Sequence, residues 1–279
     1  MGRQGKPGVD DTLRRVFALD GRVAIITGGG GMLGMEYAAT LGGAGARVAL
    51  FDVLPKERLD ECAARLQSRG IEICPVSVDI TDRGAVEAAV TRVRDRWRRI
   101  DILINTAALN PTPGSAESEQ QFAPYERYST SLWQRELDVI LTGSLNLAQT
   151  AGDTMMAARG GVILNIATDL AVIAPDNRIY EPGRFKSIGY VTGKGGLLSM
   201  TRALASYFAP FNIRVNALTP GGVHAGQDDA FASRVSRLVM LGRMARRDEF
   251  NAAVLFLCSD ASSYMTGANL VVDGGRTTW

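Results

Sequence analysis

Short apolar, β-branched runs recur along the chain at residues 22–28, 47–53, 71–80, 102–107, 161–167, 213–218 and 269–272, each separated from the next by a longer stretch. A strand that is apolar on successive residues has no polar face to give to water, so both faces of its sheet must be covered. The intervening stretches supply that cover, with amphipathic helical patterns over 33–43, 56–69, 83–98, 131–158, 189–209 and 248–257. Strands and helices alternating in this way predict an α/β fold: a doubly wound parallel sheet of seven strands with helices on both faces. No linker or change of composition divides the chain, so a single domain over residues 16–279 is expected, with a frayed tail over 1–15.

Charge and cysteine usage exclude several classes of function. Thirty-one Lys and Arg against twenty-nine Asp and Glu leave a net charge of +2, too small and too scattered to steer a nucleic acid. Cys62, Cys74 and Cys258 lie far apart, and His224 is the sole histidine, so no metal site is expected and the protein reads as reduced and cytoplasmic. No apolar run approaches the roughly 18 residues needed to span a bilayer, and no membrane association is expected. Three connections, 109–130, 170–188 and 221–230, are too long to be simple turns. Each follows the carboxyl end of a strand, where doubly wound sheets bind ligands, and together they are expected to wall a substrate pocket.

The first strand runs directly into Thr27-Gly28-Gly29-Gly30-Gly31-Met32-Leu33-Gly34 and then a helix. Backbone amides in such a turn can approach a pyrophosphate, and the helix N-terminus adds partial positive charge. A tight turn alone would also use these glycines, but Asp52 ends the second strand, where a carboxylate can accept from adenosine ribose hydroxyls. That carboxylate would repel a 2′-phosphate, and the loop holds no Lys or Arg, so NAD is favoured over NADP. Asp79 and Ile80 can meet the adenine amino group and cover its ring, although Asp79 could equally cap the helix that begins at Arg83. Farther along, Tyr190 and Lys194 stand one turn apart on one helix face, where an ammonium would lower the phenol pKa toward neutrality.

Taken together with Asn105-Thr106-Ala107-Ala108, Asn165-Ile166-Ala167-Thr168, Asn212-Ile213-Arg214-Val215-Asn216, Thr219-Pro220-Gly221-Gly222 and Val272-Asp273-Gly274-Gly275, these motifs resemble the short-chain dehydrogenase/reductase family from about Leu19 onward. The resemblance implies a one-domain Rossmann-like fold, a homodimer or homotetramer, and hydride transfer between NAD(P) and an alcohol or carbonyl of a small-molecule substrate. Tyr190 would then be the acid/base, Lys194 would hold the nicotinamide ribose, and Thr168 would stand where the family has its orienting serine. Cofactor contacts would fall on Thr27, Gly28, Gly31, Met32, Leu33, Gly34, Asp52, Val53, Asp79, Ile80, Thr106, Ala107, Pro220, Gly221 and Val223, besides Tyr190 and Lys194.

Ile140 is the main departure, occupying the position of a catalytic asparagine; isoleucine can hold no relay water. For that reason a cofactor-binding scaffold with weak or absent catalysis is the alternative to an NAD-dependent alcohol dehydrogenase. The Thr-Gly-x-x-Gly-x-x-Gly spacing raises a second alternative, a nucleotide-sugar epimerase or dehydratase. Arg178, Tyr180, Arg184 and Lys186 before the tyrosine, with His224 after the sixth strand, point to a polar, sugar-like or anionic substrate, while solvated loop charges would look the same.

Overall fold

The computed structural model describes residues 11–109 and 115–279. Strands β1 (Val23–Thr27), β2 (Arg47–Asp52), β3 (Ile73–Ser77), β4 (Ile102–Asn105), β5 (Gly161–Ile166), β6 (Ile213–Pro220) and β7 (Asn269–Val272) form one parallel sheet in the order β3-β2-β1-β4-β5-β6-β7. Each expected run carries one strand. Pro75, which has no N–H to donate, sits in β3 at the edge of the sheet, where that loss is tolerated.

Successive side chains of β1 diverge to opposite layers. Val23 and Ile25 pack with Val86, Leu147 and Phe208, whereas Ala24 and Ile26 pack with Tyr37, Leu59 and Leu257. Helices α2 (Met32–Gly43), α3 (Lys56–Gln67) and α10 (Asn251–Cys258) therefore cover one face, and α4 (Arg83–Trp97), α7 (Gly143–Ala158) and α8 (Ile188–Phe208) cover the other. This is the Rossmann-like doubly wound arrangement. Because every strand is parallel, all carboxyl ends share one edge, and the strand order reverses between β1 and β4 to open a crevice there.

Three elements differ from the sequence pattern. The continuous helix expected over 131–158 is α6 (Thr130–Leu137), a π-helical turn over Asp138–Thr142 in which Gly143 N bonds to Asp138 O, and then α7. The connections carry short helices of their own: α5 (Ala116–Gln121) and α9 (Asp229–Ser236). Overlapping the end of the tail expected over 1–15, Asp11–Phe17 form α1, none of whose residues is buried; residues 1–10 lie outside the described residues.

Candidate active site

At the reversal of strand order, β1 turns through Gly28 into α2. Gly28 has φ 61°, and a Cβ there would lie 3.2 Å from Ala107 Cα, so conformation and close approach both require glycine. Gly34, in the first turn of α2, abuts the Gly28 carbonyl oxygen, where any Cβ would collide. Gly31 caps α2 without a side-chain bond, leaving the amides of Met32, Leu33 and Gly34 with no acceptor within the helix. Asp52 braces the loop, accepting from Gly30 N at 2.9 Å and Leu54 N at 3.1 Å, and each oxygen retains a lone pair for a further donor.

Thr27, expected among the cofactor contacts, instead joins β1 to β4. It is fully buried, and its hydroxyl accepts from Thr106 N (3.0 Å) and Ala107 N (3.2 Å). The Thr106 hydroxyl is buried and has no hydrogen-bond partner among the described residues, so it is free to bond a ligand hydroxyl. Asp79 accepts from Thr81 N and Thr81 Oγ1 at 2.9 and 2.7 Å, while Asp82 caps α4 by accepting from Ala85 N. Ile80 is buried against Gly143, and Val53 is 73 % exposed beyond Asp52. Pro220 ends β6, Gly221 packs on Asp273, and Val223 bridges to Ala245. Uncapped amides, a carboxylate and an orphan hydroxyl suit the pyrophosphate and ribose of a dinucleotide.

Helix α8 carries the other half of the site. Ser187 caps it, with Oγ accepting from Tyr190 N at 3.0 Å. Lys194 is 2 % exposed; its Nζ donates to Ile166 O at 2.6 Å and lies 6.0 Å from the Tyr190 ring centroid. Burial lowers the Lys194 ammonium to about 8 and raises the Tyr190 phenol to about 12. The lowered phenol pKa expected from the Tyr-x-x-x-Lys spacing is thus outweighed by loss of solvent around Tyr190. Thr168, two residues past the end of β5, donates to Asp169 Oδ1 at 2.9 Å, and its hydroxyl lowers the Tyr190 phenol pKa against the larger rise from burial. Its single proton serves Asp169 in this structure.

Buried amides tie this helix to the sheet: Asn105 Nδ2 donates to Asn165 Oδ1 (2.8 Å), and Asn165 Nδ2 donates to Thr201 Oγ1 (2.9 Å) on α8. Asn105 and Asn165 are partners in the β4–β5 register. Sequence reading singles them out as motif letters without this role; two asparagines ending adjacent apolar strands are the signal. Ile140, in the π turn, is fully buried against Gly193 and presents no polar atom to the site.

The first two long connections meet each other, and the second also meets α9, which begins at the end of the third. Phe122, Tyr180 and Phe231 form an aromatic chain with centroids 5.5 and 5.8 Å apart, Phe185 N donates to Phe122 O at 2.9 Å, and Arg234 Nε donates to Ile179 O at 2.6 Å. The arginines expected to read an anion are engaged elsewhere. Arg178, its side chain 90 % exposed, forks onto Asp176, and Arg184 pairs with Glu119. Lys186 lies over the Tyr190 ring, 4.3 Å from its centroid; burial lowers its pKa, against the charges of Glu136 and Asp169. His224 is exposed, and its backbone N–H bonds to Ala245 O. Phe122 and Phe231 in the joined connections, the buried Glu136 and Asp169 beside Thr168 are residues that the sequence reading missed. Residues 110–114 of the first connection lie outside the described residues.

A family model described as enoyl-(acyl carrier protein) reductase matches residues 31–277. The chain is 35 % identical over 268 residues to an NAD-dependent glycerol dehydrogenase of Listeria innocua, covering 94 % of this chain and 96 % of the relative. It is 32 % identical over 266 residues to a D-threitol dehydrogenase of Mycolicibacterium smegmatis, covering 94 % and 95 % respectively. The crystal structure of a gluconate 5-dehydrogenase from Burkholderia cenocepacia, in complex with NADP and tartrate, superposes with a TM-score of 0.84 at 28 % identity, over 96 % of this chain and 99 % of that one. With a glycine-loop cleft, a Tyr190–Lys194 helix and relatives matched along nearly their whole length, the chain belongs to the short-chain dehydrogenase/reductase family of NAD(P)-dependent enzymes and is an oxidoreductase acting on the CH–OH group of alcohols.

Proposed function

We propose that this protein oxidises a secondary alcohol in a neutral polyol, with NAD as cofactor and Tyr190 as acid/base. The observation that carries the reading is the convergence of Tyr190, Thr168 and Lys194 at the sheet edge beside the dinucleotide cleft. A bound nicotinamide supplies the hydride acceptor. Tyr190 takes the proton of the substrate hydroxyl, and the Thr168 hydroxyl fixes that oxygen against it. Lys194 favours the phenolate by charge and is positioned to hold a ribose hydroxyl. Asp52 supports NAD, because a 2′-phosphate would meet its carboxylate and the loop 27–34 offers no cation. The glycerol and threitol named for two relatives support a polyol, and the pairing of Arg178 and Arg184 with carboxylates supports a neutral one.

Initial rates with NAD and with NADP on glycerol, D-threitol, galactitol, gluconate and simple secondary alcohols test the reading through absorbance of the reduced nicotinamide. Turnover of a neutral polyol with NAD in preference to NADP is expected. Turnover of no alcohol with either cofactor, or a preference for NADP, overturns the corresponding part.

A further inference from the structure

Two carboxylates stand near Tyr190, and they differ in what remains unbonded. Glu136 is fully buried and closed: Oε1 accepts from Gln121 Nε2 (2.7 Å) and Ser187 Oγ (2.8 Å), and Oε2 accepts from Ser187 Oγ (2.6 Å) and the Tyr128 hydroxyl. Gly189 lies so close to Oε2 that a Cβ would collide with it, which leaves no room for a ligand. Asp169 is half-buried and lopsided. Its Oδ1 accepts from both Thr168 Oγ1 and Leu170 N, each at 2.9 Å, and its Oδ2 accepts no hydrogen bond among the described residues. The same carboxylate follows Thr168 directly in the chain and interacts electrostatically with Tyr190, Tyr180 and Lys186, as well as with Arg276 and Asp273.

We infer that Asp169 is a specificity residue whose free Oδ2 accepts a hydrogen bond from the hydroxyl next to the carbon being oxidised, so that a vicinal diol is the unit recognised. The inference rests on Tyr190 and Thr168 acting on the reacting hydroxyl. The two oxygens of one carboxylate are closer together than a hydrogen bond is long. Thr168 Oγ1 lies 2.9 Å from Oδ1, so a substrate oxygen that Thr168 holds by turning its proton away from Asp169 sits beside the carboxylate, with Oδ2 placed to accept from the neighbouring hydroxyl. A half-buried carboxylate left without a donor disfavours a substrate that lacks the second hydroxyl, which makes the contact discriminating as well as attractive. A substrate carboxylate at the same position would meet like charge, so hydroxy acids are rejected by the same atom.

Matched pairs test this: glycerol against propan-2-ol, and meso-butane-2,3-diol against butan-2-ol, each oxidised by wild type, Asp169→Asn and Asp169→Ala with NAD. The wild type is expected to favour the diol of each pair in kcat/KM by roughly tenfold to a hundredfold. Asp169→Ala should collapse that ratio toward one, chiefly through a higher KM for the diol, with Asp169→Asn intermediate. Equal losses of kcat for both members of a pair would show Asp169 merely aligning Thr168, and a wild type indifferent to the second hydroxyl would leave it nothing to read; either result overturns the inference while leaving the alcohol dehydrogenase reading intact. Failure of the wild type to oxidise any member overturns that underlying reading instead.

Discussion

The cofactor cleft and the substrate pocket share one edge of the sheet but are made of different material. The cleft is built chiefly from backbone that is close together in the chain, a glycine turn and uncapped helix amides, joined by Asp52 at the end of the next strand and the Thr106 hydroxyl after β4. The pocket is built from side chains contributed by Phe122 at the end of α5, the connection after β5, and α9, joined by tilted ring contacts and by hydrogen bonds from Arg234. Chemistry held by backbone depends on local spacing alone. Chemistry held by side chains depends on tertiary register, so one edge can keep its cofactor half while its substrate half changes.

If that division holds, damage to one half should spare the other. Tyr190→Phe is expected to have the largest effect, lowering kcat by about 10²- to 10⁴-fold while leaving NAD affinity, followed by calorimetric titration, within about threefold. A parallel loss of affinity would show the two halves to be coupled.

Lys194 touches both halves, and its signature is in stability against pH. Its folded pKa of about 8 lies below the ordinary 10.5, so between these values the unfolded chain binds a proton that the native one does not. Native stability contributed by this group is therefore present above 10.5 and lost as pH falls through 8. The shift corresponds to about 3 kcal/mol, of which losing the bond to Ile166 O returns about 1 kcal/mol. Lys194→Met should accordingly gain about 2 kcal/mol at pH 7 and lose up to about 1 kcal/mol at pH 10.5, where only the missing bond to Ile166 O counts, in urea titrations. A gain independent of pH would refute the burial argument.

On the backbone side, Gly34→Ala forces a methyl against the Gly28 carbonyl and should cost about 1–3 kcal/mol of stability, with weaker NAD binding and an unchanged kcat at saturating cofactor. A fall in kcat would mean that the glycine turn also sets the geometry of catalysis. Smallest is Ile140→Asn, which buries an amide in the contact with Gly193 and should cost about 1–2 kcal/mol with no gain in kcat. A faster enzyme would show that α6, α7 and α8 can readmit a polar relay.

The seven strands are legible because continuous apolar runs allow no other sheet, and the glycine turn is legible because its constraints fall within a few residues. Asp169 and Glu136 are not. What distinguishes them is the burial and bonding supplied by Thr168 in one case and by Gln121, Tyr128 and Ser187 in the other, and in a linear reading each is one more polar residue. The π turn is equally hidden, since Asp138–Thr142 contains neither Gly nor Pro and keeps the apolar spacing of a helix. The fall of the Tyr190 pKa that spacing suggests is reversed for the same reason: spacing reports the ammonium, whereas only the packed structure reports the missing water.

That π turn has a further consequence. Each residue advances an α-helix by about 100°, so the wider turn at Asp138–Thr142 acts as a phase shifter between two otherwise regular helices. It lets α7 keep Leu147, Ala151 and Met155 on the sheet while α6 aims Glu136 at the cap of α8. Removing one residue from this turn would shorten the helix by less than the width of an atom pair, yet it would swing Glu136 roughly a quarter of the way around the axis. Length variation at this point in the chain is therefore a change of bearing, and only incidentally a change of length.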